Sequence, residues 1–239
     1  MLKGISRRGF LAFTCGMLFA PVEALASDKK DNVPAVLDHI LLGCADLERG
    51  IAFVEQGTGI RAAFGGVHPG RGTQNALLSL GDRHYLEIIA LDPKQSGAAD
   101  RYGLAKLTEP RLVGWAAHPG SLKEFANRLS RERIAFDGPT PGSRKRPDGR
   151  LLQWSTLNLK DNANGLLPFF IEWGADSPHP SSDAPQGCEL VQFGAATPDA
   201  EQLSRVAVQL RLEVAVAKSG TPELRATLAG PSGRLALHS

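Results

Sequence analysis

The sequence predicts an α+β protein built from repeated βαβββ modules, on three observations. Residues 36–92 read strand, helix, strand, strand, strand. A second module, read as strand, helix, loop, strand and strand, follows over residues 111–174, and a third, shorter repeat over residues 187–239. A unit repeated in this way cannot bury its own apolar face and needs a neighbour to complete a core. The predicted units are residues 34–174, holding modules 34–92 and 111–174, and a third repeat at 187–239 packed on the same domain.

The elements of the first module follow from local pattern. Leu37-Asp38-His39-Ile40-Leu41-Leu42-Gly43 is strand-like. Residues 47–56 have helical periodicity, Asp46 is placed to cap them, and Gly57 and Gly59 to end them. A strand is expected over 61–64, a glycine-rich loop over 65–72, a strand over 73–80, a turn at Gly81-Asp82 and a strand over 85–90.

In the second module, residues 93–110 read as a linker with a short helix at 103–107, and 112–117 as a strand. Leu122, Phe125, Ala126 and Leu129 fall on one face of a helix over 122–132. Gly, Pro and Arg crowd residues 138–149, which predicts a loop; 151–159 and 168–173 are strands. After a linker at 174–187, the third repeat has a strand over 189–195, a helix over 200–210 and strands near 212–217, 223–229 and 234–237.

Two of these strands carry an ionisable residue on an apolar face. Alternate side chains of a strand share a face, so His39 lies with Leu37 and Leu41, and Glu87 with Tyr85 and Ile89. Burying an imidazole or a carboxylate costs free energy unless each is partnered. A divalent metal would serve both, and so would a direct His–Glu hydrogen bond. Their polar atoms are expected within about 5 Å of a common point, at the reach of metal ligands or a water bridge.

With its His on the first strand and Glu on the last, the first module resembles the vicinal oxygen chelate superfamily, which includes glyoxalase I, extradiol dioxygenases and bleomycin-resistance proteins. The run from His68-Pro69-Gly70-Arg71-Gly72-Thr73-Gln74-Asn75 to Tyr85-Leu86-Glu87 is similar to its glyoxalase-like domain family, as are Arg144-Lys145-Arg146-Pro147-Asp148-Gly149 and Phe169-Phe170-Ile171-Glu172-Trp173. The resemblance covers nearly all of the chain after residue 33 and implies curved, barrel-like mixed sheets around a small-molecule pocket.

Carried over residue by residue, the resemblance implies metal ligands at His39 and Glu87, with Glu172 from the second module; the fourth position falls on Gly114, which has no donor. In the third repeat it falls near Gln192. Glu172 and His68 are the candidate catalytic groups, and Asn75, Arg144 and Arg146 the candidate substrate-binding ones. Two readings of the cofactor stand side by side: one divalent metal (zinc, manganese, iron or nickel), or none. With a metal the implied chemistry is that of a lyase, isomerase or dioxygenase acting on vicinal oxygens; without one, a binding protein that sequesters a small molecule.

Other polar and aromatic residues read as structural: His118 and His179 precede prolines, and Trp115, Trp154 and Trp173 are expected in the core. An odd third repeat serves as a lid or as half of an intermolecular pair, so a homodimer is one of its two outcomes. Cys44 and Cys188 are expected as separate, mostly buried thiols.

The first residues resemble a twin-arginine export signal: Arg7-Arg8 precede an apolar stretch, and Ala24-Leu25-Ala26 is a small-x-small cleavage site. Residues 1–26 hold Lys3, Arg7, Arg8 and Glu23; of the chain's 27 basic and 25 acidic residues, 24 of each remain without them. A neutral mature chain gives no electrostatic reason to bind nucleic acid or a membrane surface. The expectation is periplasmic or secreted protein cleaved after Ala26. Amino-terminal sequencing of the exported protein is expected to start at Ser27, and an Arg7→Lys, Arg8→Lys double variant to stay in the cytosol.

Overall fold

The computed structural model describes residues 33–81, 83–95, 99–146 and 148–239; the export signal read from the sequence lies outside the described residues. Strand β1 (Leu37–Gly43) is buried along its whole length. It lies between β4 (Tyr85–Leu91), to which it runs parallel, and β5 (Arg111–Ala117), antiparallel to it. With β2 (Ala63–His68), β3 (Thr73–Ser79), β6 (Phe136–Lys145), β7 (Leu151–Leu159) and β8 (Phe169–Trp173), these strands form one eight-stranded sheet. Its order is β2-β3-β4-β1-β5-β8-β7-β6. Read outward from the β1–β5 seam, the two halves have the same connectivity, so the modules are related across that seam.

The sheet curls until its outer strands meet. A Cβ on Gly65 of β2 would sit 2.5 Å from Asn75 Oδ1 and 2.6 Å from Arg144 Nη1 of β6. Only glycine permits that approach. One face of the curled sheet looks inward, onto a cavity. The other packs on helices α1 (Leu47–Thr58) and α2 (Leu122–Arg131), whose apolar stripes cover Ile40, Leu42, Leu86 and Ile88. The Asp46 side chain accepts from the Arg49 N–H at 2.9 Å to cap α1, which ends on Gly59 at φ 83°. Ser121 caps α2 in the same way.

A second sheet, β10-β9-β11-β12, is made from β9 (Glu189–Thr197), β10 (Ala215–Lys218), β11 (Glu223–Gly230) and β12 (Gly233–His238), with helix α3 (Ala200–Leu210) between β9 and β10. It shares the main core: Phe193 packs on Trp115 with ring centroids 5.0 Å apart, and Leu235 lies against Gly57 of α1. Each large apolar side chain so covered stabilises the fold by roughly 1.5–3 kcal/mol.

The main departures from expectation have physical causes. Residues 138–149 are not all loop. β6 runs through Pro139 and Pro141 because it is an edge strand, paired only with β7, where a missing N–H on the open side leaves no ladder bond unmade. β2 extends through Gly65 and Gly66 to His68, with a register shift between Phe64 and Gly66. The C-terminal unit has the element order of a βαβββ repeat but a different pairing. Its first strand, β9, sits between β10 and β11, whereas β1 pairs with β4 and leaves β2 at an edge. Cys44 and Cys188 are free, buried thiols, and burial pushes the Cys44 thiol up to about 12.

Candidate active site

The inner face of the curled sheet encloses a cavity of about 290 Å³. Strand alternation delivers His39 and Leu41 from β1, and Tyr85, Glu87 and Ile89 from β4, to its wall. His39 Nε2 lies 3.4 Å from Glu87 Oε2, and the imidazole stacks on Tyr85 with ring centroids 4.4 Å apart. The expected pairing of His39 with Glu87 inside one cavity is what the geometry gives.

Strict alternation would send Asp38 to the opposite face. The register between β1 and β5 shifts between Leu37 and His39, a bulge at Asp38. There the fully buried Asp38 carboxylate reaches its neighbour, with His39 Nδ1 2.7 Å from Oδ1. Its other oxygen accepts from Trp173 Nε1 at 3.1 Å, and His179 Nε2 lies 3.2 Å from it. Asp38, Trp173 and His179 are site residues that sequence reasoning missed. The available signal was an aspartate beside a histidine in an otherwise apolar strand. Trp154 and Trp173 line the cavity, and only Trp115 belongs to the core as expected.

A second chain of polar contacts starts on β3. Asn75 Nδ2 donates to Glu87 Oε1 at 2.6 Å, and Asn75 Oδ1 accepts from Arg144 Nη1 at 2.8 Å. His68 Nδ1 is 2.8 Å from Thr73 Oγ1, and His68 Nε2 is 3.3 Å from Asn75 Nδ2 and 3.6 Å from Glu87 Oε1. An amide N–H can only donate, so Nε2 is the acceptor and the ring proton sits on Nδ1. Arg144 is buried, and its Nε has no hydrogen-bond partner.

These contacts drive the two histidines apart. Burial disfavours a charged His39, but the hydrogen bonds to Asp38 and Glu87 outweigh it and raise the group to about 9. Burial works against the Glu87 carboxylate as well, yet His39, His68 and Asn75 bring it down to about 2. Asp38 is held well below the usual carboxylate range, against its burial, by His179 and His39. His68 is pushed down by burial, which the nearby Glu87 charge offsets only in part. One cavity therefore holds an imidazolium at His39 and a neutral imidazole at His68.

The donors brought together do not make the metal centre that the resemblance implied. Among the described residues no three His, Cys, Asp or Glu side chains are placed to hold a metal ion. Asn75 already occupies Glu87 Oε1, and the inward positions of the second module carry Gly114 and Ile171, which offer no ligand. Glu172 is not in the cavity. Phe169, Ile171 and Trp173 point inward, so Glu172 points outward, where its Oε2 accepts from the Leu122 N–H at 2.8 Å at the start of α2. Aligning the modules one residue out of step turned this side chain to the wrong face. Arg146 also lies outside, paired with Asp183 at 2.6 Å, whereas Arg144 and Asn75 line the cavity. Gln192 is exposed in the second sheet.

This arrangement of modules has relatives. The glyoxalase-like domain matches residues 37–210, more than half of the chain. The chain belongs to the glyoxalase-like domain family. Its fold is similar to that of a hypothetical protein from Staphylococcus aureus, at 14% identity and a TM-score of 0.57, with 84% of each chain covered. A methylmalonyl-CoA epimerase from Mycobacterium tuberculosis aligns at 18% identity with a TM-score of 0.42, over 59% of this chain and 89% of that one. No curated protein matches the chain. The curled eight-stranded sheet is that of the vicinal oxygen chelate fold.

Two outcomes follow from the geometry. Glu172→Ala removes an anionic acceptor from a helix start, so it is expected to lower stability by about 1 kcal/mol and leave ligand affinity in the cavity unchanged; calorimetric unfolding and titration read the two effects separately. The His39–Glu87 pair sets a pH window. The raised His39 contributes stability that is whole below its unfolded value of 6.5 and is lost as pH rises through about 9. The lowered Glu87 contributes stability that is whole above its unfolded value of 4.5 and is lost as pH falls through about 2. Glu87→Gln is therefore expected to destabilise most between pH 4.5 and 6.5, by about 3 kcal/mol. Thermal unfolding of both proteins across a pH series checks this, and a constant difference would contradict it.

Proposed function

We propose that the protein is an exported small-molecule enzyme that moves a proton on a carboxylate-bearing substrate, as an isomerase or lyase does. The observation that supports this reading is the opposite protonation of His39 and His68 around one cavity, since groups pushed apart in this way divide acid and base roles. His68, neutral, exchanges the Asn75 N–H that its Nε2 accepts for substrate and is the base that takes a proton from carbon next to a carbonyl. His39, protonated and steadied by Asp38, turns its Nε2–H from Glu87, 3.4 Å away, to the oxygen on which negative charge develops and stabilises it. Glu87 holds that imidazolium in place, and Asn75 keeps Glu87 oriented. Arg144 adds a fixed positive charge for the substrate carboxylate.

No step here passes through a divalent ion, because the donor set described above is incomplete. A metal-dependent lyase or dioxygenase remains the competing enzyme, and elemental analysis of the purified mature protein separates the two: a stoichiometric divalent metal that is lost in His39→Gln would replace the present reading. Sequestration without chemistry is the reading from the other class, drawn from the same cavity.

The deciding experiment incubates the protein with small 2-oxo and 3-oxo carboxylic acids in deuterium oxide. Proton resonances are expected to vanish at carbon next to the carbonyl of the acid that binds. His68→Ala is expected to slow the exchange by about 100-fold or more with little change in affinity. Tight binding with no exchange would establish sequestration instead.

A further inference from the structure

We propose that the cavity at His39 is the head of a longer cleft, and that a second cavity beside it takes the anionic tail of an extended substrate. The inference rests on the reading above only in placing the reacting head at His39. The second cavity measures about 520 Å³ and shares Leu41, Arg101, Tyr102 and Phe169 with the first. The two cavities thus adjoin at those four residues, the second lying where β5 and β8 diverge and the C-terminal unit packs.

Gly114 leaves room in the second cavity beside Leu41. Gly114 pairs with Leu41 across the β1–β5 seam, at the place where the first module carries an ionisable side chain. A Cβ built there meets nothing within 4 Å, and its backbone is not in the left-handed region. Space rather than backbone conformation is what this glycine provides.

The charge of the second cavity identifies its ligand. Arg101 and Arg111 line it, no Asp or Glu side chain does, and Ser239, bonded to Leu224, is part of the same wall. Neither guanidinium has a hydrogen-bond or ion-pair partner among the described residues. Unpaired guanidinium forks beside a concave surface suit a carboxylate or a phosphate. The amides of Asn158 and Asn164, on the same wall, suit a polar chain leading to that anion. The C-terminal sheet supplies part of the wall through Pro222 and Leu224.

The test is calorimetric titration of the mature protein with straight-chain acids: propionate, the dicarboxylates succinate, adipate, suberate and sebacate, and monocarboxylates of matching length. A dicarboxylate long enough to bridge is expected to bind about ten-fold tighter than the matching monocarboxylate. The gain should disappear in an Arg111→Gln variant, since Arg111 lines only the second cavity, and Gly114→Leu should exclude the long acids. Propionate affinity should hold in both variants, which also shows that they are folded. An ω-phosphono acid in place of the bridging dicarboxylate assigns the tail, as phosphate if it binds tighter and carboxylate if weaker. Equal affinity of mono- and dicarboxylates at every length would overturn the proposal, as would a dicarboxylate gain that survives loss of Arg111. Deuterium exchange of short acids is unaffected by either result, so the second subsite and the proton chemistry stand or fall separately.

Discussion

A charged imidazole buried between two carboxylates is the constraint around which this structure is arranged. An ion pair removed from water is costly unless every remaining donor and acceptor is met. His39 meets it with Asp38 on one nitrogen and Glu87 on the other. Each carboxylate then needs its own partners: Trp173 and His179 for Asp38, and Asn75 for Glu87. Asn75 needs Arg144, and Arg144 can reach it only over Gly65. The chain of requirements thus runs from the central strand to the far edge of the second module. Curvature of the sheet, an edge-strand arginine and a side-chain-free position on β2 answer one electrostatic problem.

Much of this was legible in the sequence. The helix cap at Asp46 and the alternation that places His39 and Glu87 inside are local properties, and the order of elements in the first module follows from them. What escaped were features that depend on a strand's neighbours. The bulge at Asp38 arises from pairing with β5 and cannot be seen in β1 alone. Pro139 and Pro141 speak against a strand until β6 is known to be an edge. Glu172 looked like a partner of Glu87 because similarity between repeats carries no register, and a single residue of offset inverts a side chain. His179 read as a linker residue because nothing in its own segment shows that the segment folds back onto Asp38.

The C-terminal sheet shows how pairing can outweigh element order. Its sequence of strand, helix and three strands repeats that of the first two modules, yet the strand that would sit at the seam is enclosed by its own neighbours. It therefore offers no open edge for a third half of the curled sheet. Instead it covers α1 and the outside of β5, where Phe193 meets Trp115. That cover frees β5 to be lean on its inner side, where a glycine stands.

The near-symmetry of the two modules has a consequence for stoichiometry. Two related halves could in principle furnish two equivalent centres per chain. Here the ionisable groups of the first half face Gly114 and Ile171 of the second, so the duplication supplies a wall and Arg144 where a twin centre could have been. Among the described residues each chain therefore holds one such cluster, and binding to it within one chain would follow a simple hyperbola. Any sigmoidal response would have to arise between chains.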